Sequence, residues 1–280
     1  MKISVYLSGN NEEHDTVLRA FFEGIKKKHD NATIALLDSY DESNKPDLAV
    51  VFGVEKKAVP DSQRRGRVIR LQQQLGQHKV IVLEKGYIKR DIYYAAGFDG
   101  LNGRADFKNQ NSPSDRAELL DITLKPWKES GNHIVICGQV PWDAAVQHTD
   151  HIHWILSTIA SVRAISNRPI IFRGHPLARQ AYPQFPVDAY SRAAQIEDDL
   201  KDAYCVITFN SNSAVEAAIK GVPAIYCDEG SMAKKVGNKL ENLNNLACAD
   251  RTQWLNNISY SQWSIEEMAR GLAFAHLIGY

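Results

Sequence analysis

Between Thr208 and Ile225 the chain reads TFNSNSAVEAAIKGVPAI. Four small polar residues, Asn210, Ser211, Asn212 and Ser213, stand where an apolar run ends and a helical pattern starts. A helix start presents unpaired backbone N–H groups and the positive end of its dipole, so an anion fits there, and serine hydroxyls add donors for a phosphate. Glu216 follows Ser213 by one helical turn, where a carboxylate can accept hydrogen bonds from a pair of sugar hydroxyls. Phosphate plus ribose is a nucleotide. The same spacing fits a plain capping box, Ser213 with Glu216, which needs no ligand. Gly221-Val-Pro223 then turns the chain back into an apolar run, putting the polar cluster at a strand's carboxyl end, the usual ligand edge of a parallel α/β sheet.

Other residues with chemical potential sit at comparable places. Arg173 and His175 follow the apolar run PIIF and suit a phosphate clamp, Arg with planar donors and His with a titratable one; a turn histidine bonded to backbone is the alternative for His175. Asp143 follows HIVICG and the turn Gln139-Val-Pro-Trp, where a carboxylate can deprotonate an attacking hydroxyl or cap the next helix. Trp142 beside it can stack on a ring or pack in a wall. The run QHTDHIH, with His148, Asp150, His151 and His153, lacks the i, i+4 histidine pair of a zinc helix and reads as a solvated helix start, so no metal is expected. Glu84, Gly86, Tyr93, Asn102 and Arg104 follow VIVLE, and Gly97, Gly100 and Gly103 make a loop that lets backbone approach a ligand or merely connects two elements.

The elements that must hold these residues are visible as apolar runs alternating with helical patterns. In the first half they are ISVYL, a helix near 12–29, TIALL, LAVVFG and VIVLE. After the charged stretch LKPWKESGN at 124–132 come HIVICG, a helix near 150–165, PIIF, a helix near 195–201, CVITF, the helix after Ser213, and PAIYC. Such βα alternation predicts two Rossmann-like α/β domains, 1–127 and 128–280, each with a mainly parallel sheet and a ligand cleft between them, with the last helix possibly returning to the first domain.

Composition excludes several classes. Of 280 residues, 44% are hydrophobic and 24% charged, with no repeat or low-complexity tract, which is ordinary globular usage. No apolar run approaches the roughly 20 residues that span a bilayer. Lys plus Arg equals Asp plus Glu, 33 each, so no global basic field favours nucleic acid. Residues 55–90 hold a local excess, Lys56, Lys57, Arg64, Arg65, Arg67, Arg70, Lys79, Lys85, Lys89 and Arg90 against Glu55, Asp61 and Glu84; it reads as a solvated face or one that meets phosphates. Cys137, Cys205, Cys227 and Cys248 lack C-x-x-C spacing and read as buried thiols in a reducing compartment. The start, MKISVYLSGNNEEHD, is wrong for a secretory signal, so a cytoplasmic protein is expected.

Small polar residues, then Ser-x-x-Glu, then Gly-x-Pro resemble the donor-nucleotide motif of two-domain GT-B glycosyltransferases. Gly138-Gln-Val-Pro-Trp-Asp143, Arg173-Gly-His-Pro176 and Asn210 to Pro223, in that order, resemble capsule β-Kdo transferase-like proteins and their phage-encoded relatives. Glu84-x-Gly86, Tyr93 or Tyr94, Gly100-Leu-Asn-Gly-Arg-Ala-Asp-Phe107 and Trp254 to His276, with Gln262-Trp-Ser-Ile-Glu-Glu-Met268, resemble segments of phage glycosyltransferases. The resemblance implies a GT-B fold, a nucleotide-sugar donor (a UDP-sugar, or a CMP-sugar) and metal-independent transfer. It implies donor contacts at Gln139, Arg173, His175, Asn210, Ser211, Ser213 and Glu216, a catalytic Asp143, and acceptor contacts at Glu84, Tyr93, Asn102 and Arg104. The acceptor it suggests is a hydroxymethylated base in phage DNA, with a surface or capsular polysaccharide as the alternative and a non-catalytic nucleotide-sugar binder as the other class.

Overall fold

The computed structural model describes residues 1–57, 59 and 62–279. The chain divides into two compact units, Met1–Arg116 with Asn256–Tyr280, and Ala117–Leu255. In the first, β1 (Ile3–Leu7), α1 (Glu12–Lys26), β2 (Thr33–Leu36), β3 (Leu48–Phe52), α2 (Ser62–Gln73), β4 (Val80–Lys85) and β5 (Tyr93–Phe98) follow in turn, and α3 (Asp115–Leu119) leads out. The second holds β6 (His133–Cys137), α4 (His151–Ile165), β7 (Ile170–Arg173), β8 (Ala189–Tyr190), α5 (Ile196–Leu200), β9 (Ala203–Thr208), α6 (Ser213–Ile219) and β10 (Ala224–Tyr226). The chain then re-enters the first unit through α7 (Thr252–Ser259), β11 (Gln262–Ser264), α8 (Ile265–Ala269) and α9 (Leu272–Ile278).

The first sheet has the order β11-β5-β4-β3-β1-β2. β1 to β4 run parallel, whereas β5 lies antiparallel to both β4 and β11. Side chains alternate across this sheet with the period of two that a strand imposes. Ile3, Val5, Leu48, Val50, Ile81 and Leu83 pack with Val17, Leu18, Phe21 and Ile25 of α1 and with Phe274 and Leu277 of α9. Ala49, Val51, Val80 and Val82 meet Val68 and Ile69 of α2 on the other face. Asn11 caps α1 by accepting from the His14 amide, as its short polar side chain favours. Gly24 lets α1 approach the returning segment so closely that a Cβ there would overlap the carbonyl oxygen of Met268.

Arg116 fastens that returning segment. Its guanidinium donates to Glu267 Oε1 at 2.7 Å, to the Gln262 carbonyl at 2.7 Å and to the Ser259 carbonyl at 3.1 Å, and lies 3.8 Å from the Trp263 ring centre. Glu267 in turn closes a capping box with Ser264 at the start of α8. A buried cation with every neighbour arranged around it is costly to strip of its counter-charge.

The second sheet, β10-β9-β6-β7-β8, is parallel throughout. Ile134, Ile136, Ile170 and Ile207 pack with Ile155, Ile159 and Val162 of α4. The stretch 124–132 belongs to this unit, because the Lys125 and Lys128 amides donate to the Ile219 and Gly221 carbonyls at 3.0 and 2.7 Å. Gly221 has a φ of 77° and faces the Pro126 carbonyl with no room for a Cβ. Among the cysteines, Cys137 and Cys205 are buried, Cys227 is half-buried and Cys248 is exposed, so the expectation of four buried thiols holds for two of them and fails at Cys248.

Glu267→Ala is expected to destabilise the protein by about 3 to 5 kcal/mol, the usual cost of orphaning a buried ionic partner. Urea unfolding followed by circular dichroism checks it.

Candidate functional site

Because β6, β7, β9 and β10 run parallel, the segments that follow them emerge at one edge of the second sheet. Two buried amides tie these segments together. Gln139 Nε2 donates to Asn210 Oδ1 at 2.8 Å, and the Asn210 backbone N–H donates to Gln139 Oε1 at 3.0 Å. Asn210 Nδ2 also donates to the Ala145 carbonyl at 2.8 Å and to Asp228 Oδ1 at 2.7 Å. The Gln139 amide donates to His151 Nε2 at 2.9 Å, and its carbonyl accepts the Tyr182 hydroxyl at 2.7 Å. Buried polar groups joined in this way fix one another's orientation.

The helix start beside this network differs from a capping box. Asn212, not Ser213, occupies the cap position of α6 and makes no side-chain cap bond, and Ser213 is the first helical residue. Ser211 Oγ accepts from the Ser213 amide and donates to Ser213 Oγ, both at 3.2 Å. Asn212 Nδ2 donates to Glu216 Oε1 at 3.3 Å. Burial pushes the Cys137 thiol up to about 12 against a hydrogen bond from Ser213, with Arg173, Asp199 and Glu216 within electrostatic reach. Cys137 is therefore no nucleophile, yet it marks where Ser213, Glu216 and Arg173 converge.

Arg173 does not stand open as a phosphate clamp. Its guanidinium donates to Asp199 Oδ2 at 2.6 Å, to Ser191 Oγ at 3.1 Å and to the carbonyls of Ala193 and Ala194. It holds the segment leading into α5. His175 Nδ1 accepts from the Leu177 amide at 3.2 Å, which makes Nε2 the protonated nitrogen of the neutral ring. Asp143 Oδ1 accepts from the Ala145 amide at 3.0 Å, so it caps a turn, while Asp150 caps α4. Trp142 is exposed.

The histidine run is not a uniformly solvated start. His151 is 2% exposed, stacks on Trp154 at 5.0 Å and accepts from Gln139, whereas His148 is exposed and pairs with Asp228. Sequence reasoning overlooked Tyr182, Asp199 and Asp228; position directly after the PAIYC run was the available signal for Asp228.

In the first unit the four acceptor candidates separate. The register Ile81↔Phe98 and Lys85↔Tyr94 puts Glu84 and Tyr93 at the carboxyl end of β4, but Asn102 and Arg104 beyond its amino end. The antiparallel course of β5 carries them there. Arg104 lines a cavity of about 490 Å³ with Gln73, His78, Phe98, Asp99 and Asp106. Near Glu84, Lys85 and the Tyr94 hydroxyl both contact Glu13, and His14 stacks on Phe52 at 4.0 Å. Part of the basic excess of 55–90 is paired: Arg64 with Asp38, Arg67 with Glu42 and Arg70 with Glu55. Two of those acids lie outside the window counted from sequence, and Asp61 within it lies outside the described residues.

No known family model matches the chain, and no curated protein matches its sequence. Solved structures do match. KpsC of Thermosulfurimonas dismutans, a beta Kdo 2,7 transferase, aligns at a TM-score of 0.57 and 14% identity, covering 98% of this chain and 99% of that one. The beta Kdo 2,4 transferase of the same KpsC aligns at 0.59 and 12% identity, covering 94% and 92%. The fold is GT-B. At such identities the likeness concerns the fold alone. Among the described residues no helix is long and apolar enough to cross a membrane.

Burial lowers the His151 imidazole to about 4, against a weaker upward pull from Asp150. The folded ring stays neutral where the unfolded chain already binds a proton, so stability is full above the ordinary value of 6.5 and falls with pH below it. Between pH 7 and pH 5 the loss is about 1–2 kcal/mol. His14 and His276, also lowered first by burial, add in the same direction. His151→Gln is expected to show a smaller drop in urea midpoint over that range than the unaltered protein.

Proposed function

We propose that the chain is a glycosyltransferase that takes a sugar from a nucleotide-sugar donor and passes it to a hydroxyl of a glycan acceptor. The observation that carries this reading is the convergence of Ser211, Ser213 and Glu216 at one helix start on the carboxyl edge of the second sheet, in a chain whose fold matches Kdo transferases along nearly its whole length. The hydroxyls of Ser211 and Ser213, at the positive end of α6, receive the donor's phosphate, and Glu216 receives the ribose hydroxyls. His175 offers its Nε2–H to the same phosphate. Gln139 and Asn210 act from behind, fixing the loops, and Arg173 holds the 191–199 segment through Asp199.

In the transfer, an acceptor oxygen attacks the anomeric carbon as the bond from that carbon to the phosphate oxygen breaks, its electron pair leaving on the nucleotide. The hydroxyl proton passes to a base at this edge, for which Asp143 is the candidate from sequence. Glu84 and Tyr93 remain the acceptor contacts in this reading, with Glu13, His14 and Tyr94 beside them. The fold's likeness to Kdo transferases, together with the pairing of Arg64, Arg67 and Arg70 with acids, favours a glycan over a DNA backbone.

Incubation with a panel of nucleotide sugars and of oligosaccharide or hydroxymethylated-DNA acceptors, read by mass spectrometry, tests the reading; glycan products support it, modified nucleosides move the acceptor to DNA, and no product with any pair rejects it. By calorimetry, Glu216→Ala is expected to weaken binding of the donor nucleotide by about 10- to 150-fold, the worth of charged hydrogen bonds to ribose. An unchanged affinity rejects the placement of the nucleotide.

A further inference from the structure

His148 is a histidine that the fold holds in place and leaves open. Its Nε2 lies 3.1 Å from Asp228 Oδ2, and the two side chains differ sharply in exposure, 46% for the imidazole against 10% for the carboxylate. The carboxylate is itself fixed, since Asp228 Oδ1 accepts from Asn210 Nδ2 at 2.7 Å and from the Gly230 amide at 2.9 Å. Through Asn210 it is anchored to Gln139 and so to the end of β6. The ring of His148 rests against Phe209, with centroids 5.5 Å apart. A carboxylate at Nε2 requires the proton there and leaves Nδ1 with its lone pair. Nδ1 makes no hydrogen bond among the described residues.

Asp143 lies in the same loop, joined to His148 by successive tight turns, Val146 N–H to the Asp143 carbonyl at 3.1 Å and Thr149 N–H to the Val146 carbonyl at 3.0 Å. The two groups are unequally suited to accept a proton. Asp143 already spends an oxygen on the Ala145 amide, whereas the Nδ1 lone pair of His148 is uncommitted and its ring is held by a fixed carboxylate.

We propose that His148, oriented by Asp228, is the proton acceptor of the transfer, a step that rests on the glycosyltransferase reading above. The acceptor's O–H proton moves to His148 Nδ1 while its oxygen bonds to the anomeric carbon of the nucleotide sugar, and the phosphate leaves with the electrons of the broken bond. Asp228 balances the imidazolium that forms and keeps Nδ1 aimed outward. His148 is the catalytic residue here and Asp228 a positioning residue.

The test uses the full chain with a nucleotide sugar and acceptor that the unaltered protein turns over. His148→Ala is expected to lower kcat by about 10²- to 10⁴-fold, the range of general base catalysis, with nucleotide affinity within about twofold, because an exposed ring at this edge adds little to folding or donor binding. Added imidazole is expected to restore part of the lost turnover, which a packing defect would not allow. Asp228→Asn keeps the ring but permits the reversed tautomer, so kcat falls and imidazole does not restore it. If His148→Ala keeps its turnover, or loses it without rescue, the assignment is overturned while the glycosyltransferase reading stands. If the unaltered protein transfers nothing to any acceptor, both are overturned.

Discussion

The reciprocal amide pair of Gln139 and Asn210 is the constraint on which the second unit's edge depends. Each side chain satisfies the other's donor or backbone amide, and each residue makes a further bond that fixes a neighbour, the Gln139 backbone N–H to His151 and the Asn210 side chain to Asp228. Parallel strands deliver their loops to one place, but parallelism alone does not hold loops still. A closed network of buried amides does, since any member that turns leaves another unsatisfied. Ser211 and Ser213 follow Asn210 immediately in sequence, so the helix start inherits its position from that pair.

Charge is used in the same spirit. Arg173 and Arg116 are both largely buried, and both are surrounded by carbonyl acceptors in addition to a carboxylate. Such pairs contribute less to net stability than their geometry suggests, because desolvation offsets attraction. What they supply is definition: one holds the segment entering α5, the other the return of the chain to the first sheet.

The apolar runs made the two α/β units legible, because a buried parallel strand is nearly continuous in Val, Ile and Leu and a helix declares its period. The Ser211 to Glu216 cluster was legible too, being local. What escaped had partners far away in sequence. The direction of β5 is set by pairing with β4 and β11, and no feature of Tyr93 to Phe98 announces it; hence Asn102 and Arg104 went to the wrong end of the sheet. Asp199 claims Arg173 from 26 positions away, and Asp228 meets His148 across 80. A histidine surrounded by polar neighbours reads as solvated, and only the fold distinguishes buried His151 from open His148.

The return of the chain to its first sheet has a temporal side. The second unit is one continuous segment, whereas the first is interrupted by it and lacks an edge strand, the partner of Arg116 and the helices over α1 until residues 256–279 arrive. During synthesis the later-made unit can therefore complete its core before the earlier-made one. Until then α1 is covered by the sheet on one side only, and Phe21 lacks the edge-to-face partner Phe274, a stage at which partly exposed apolar surface leaves the nascent chain open to misassembly.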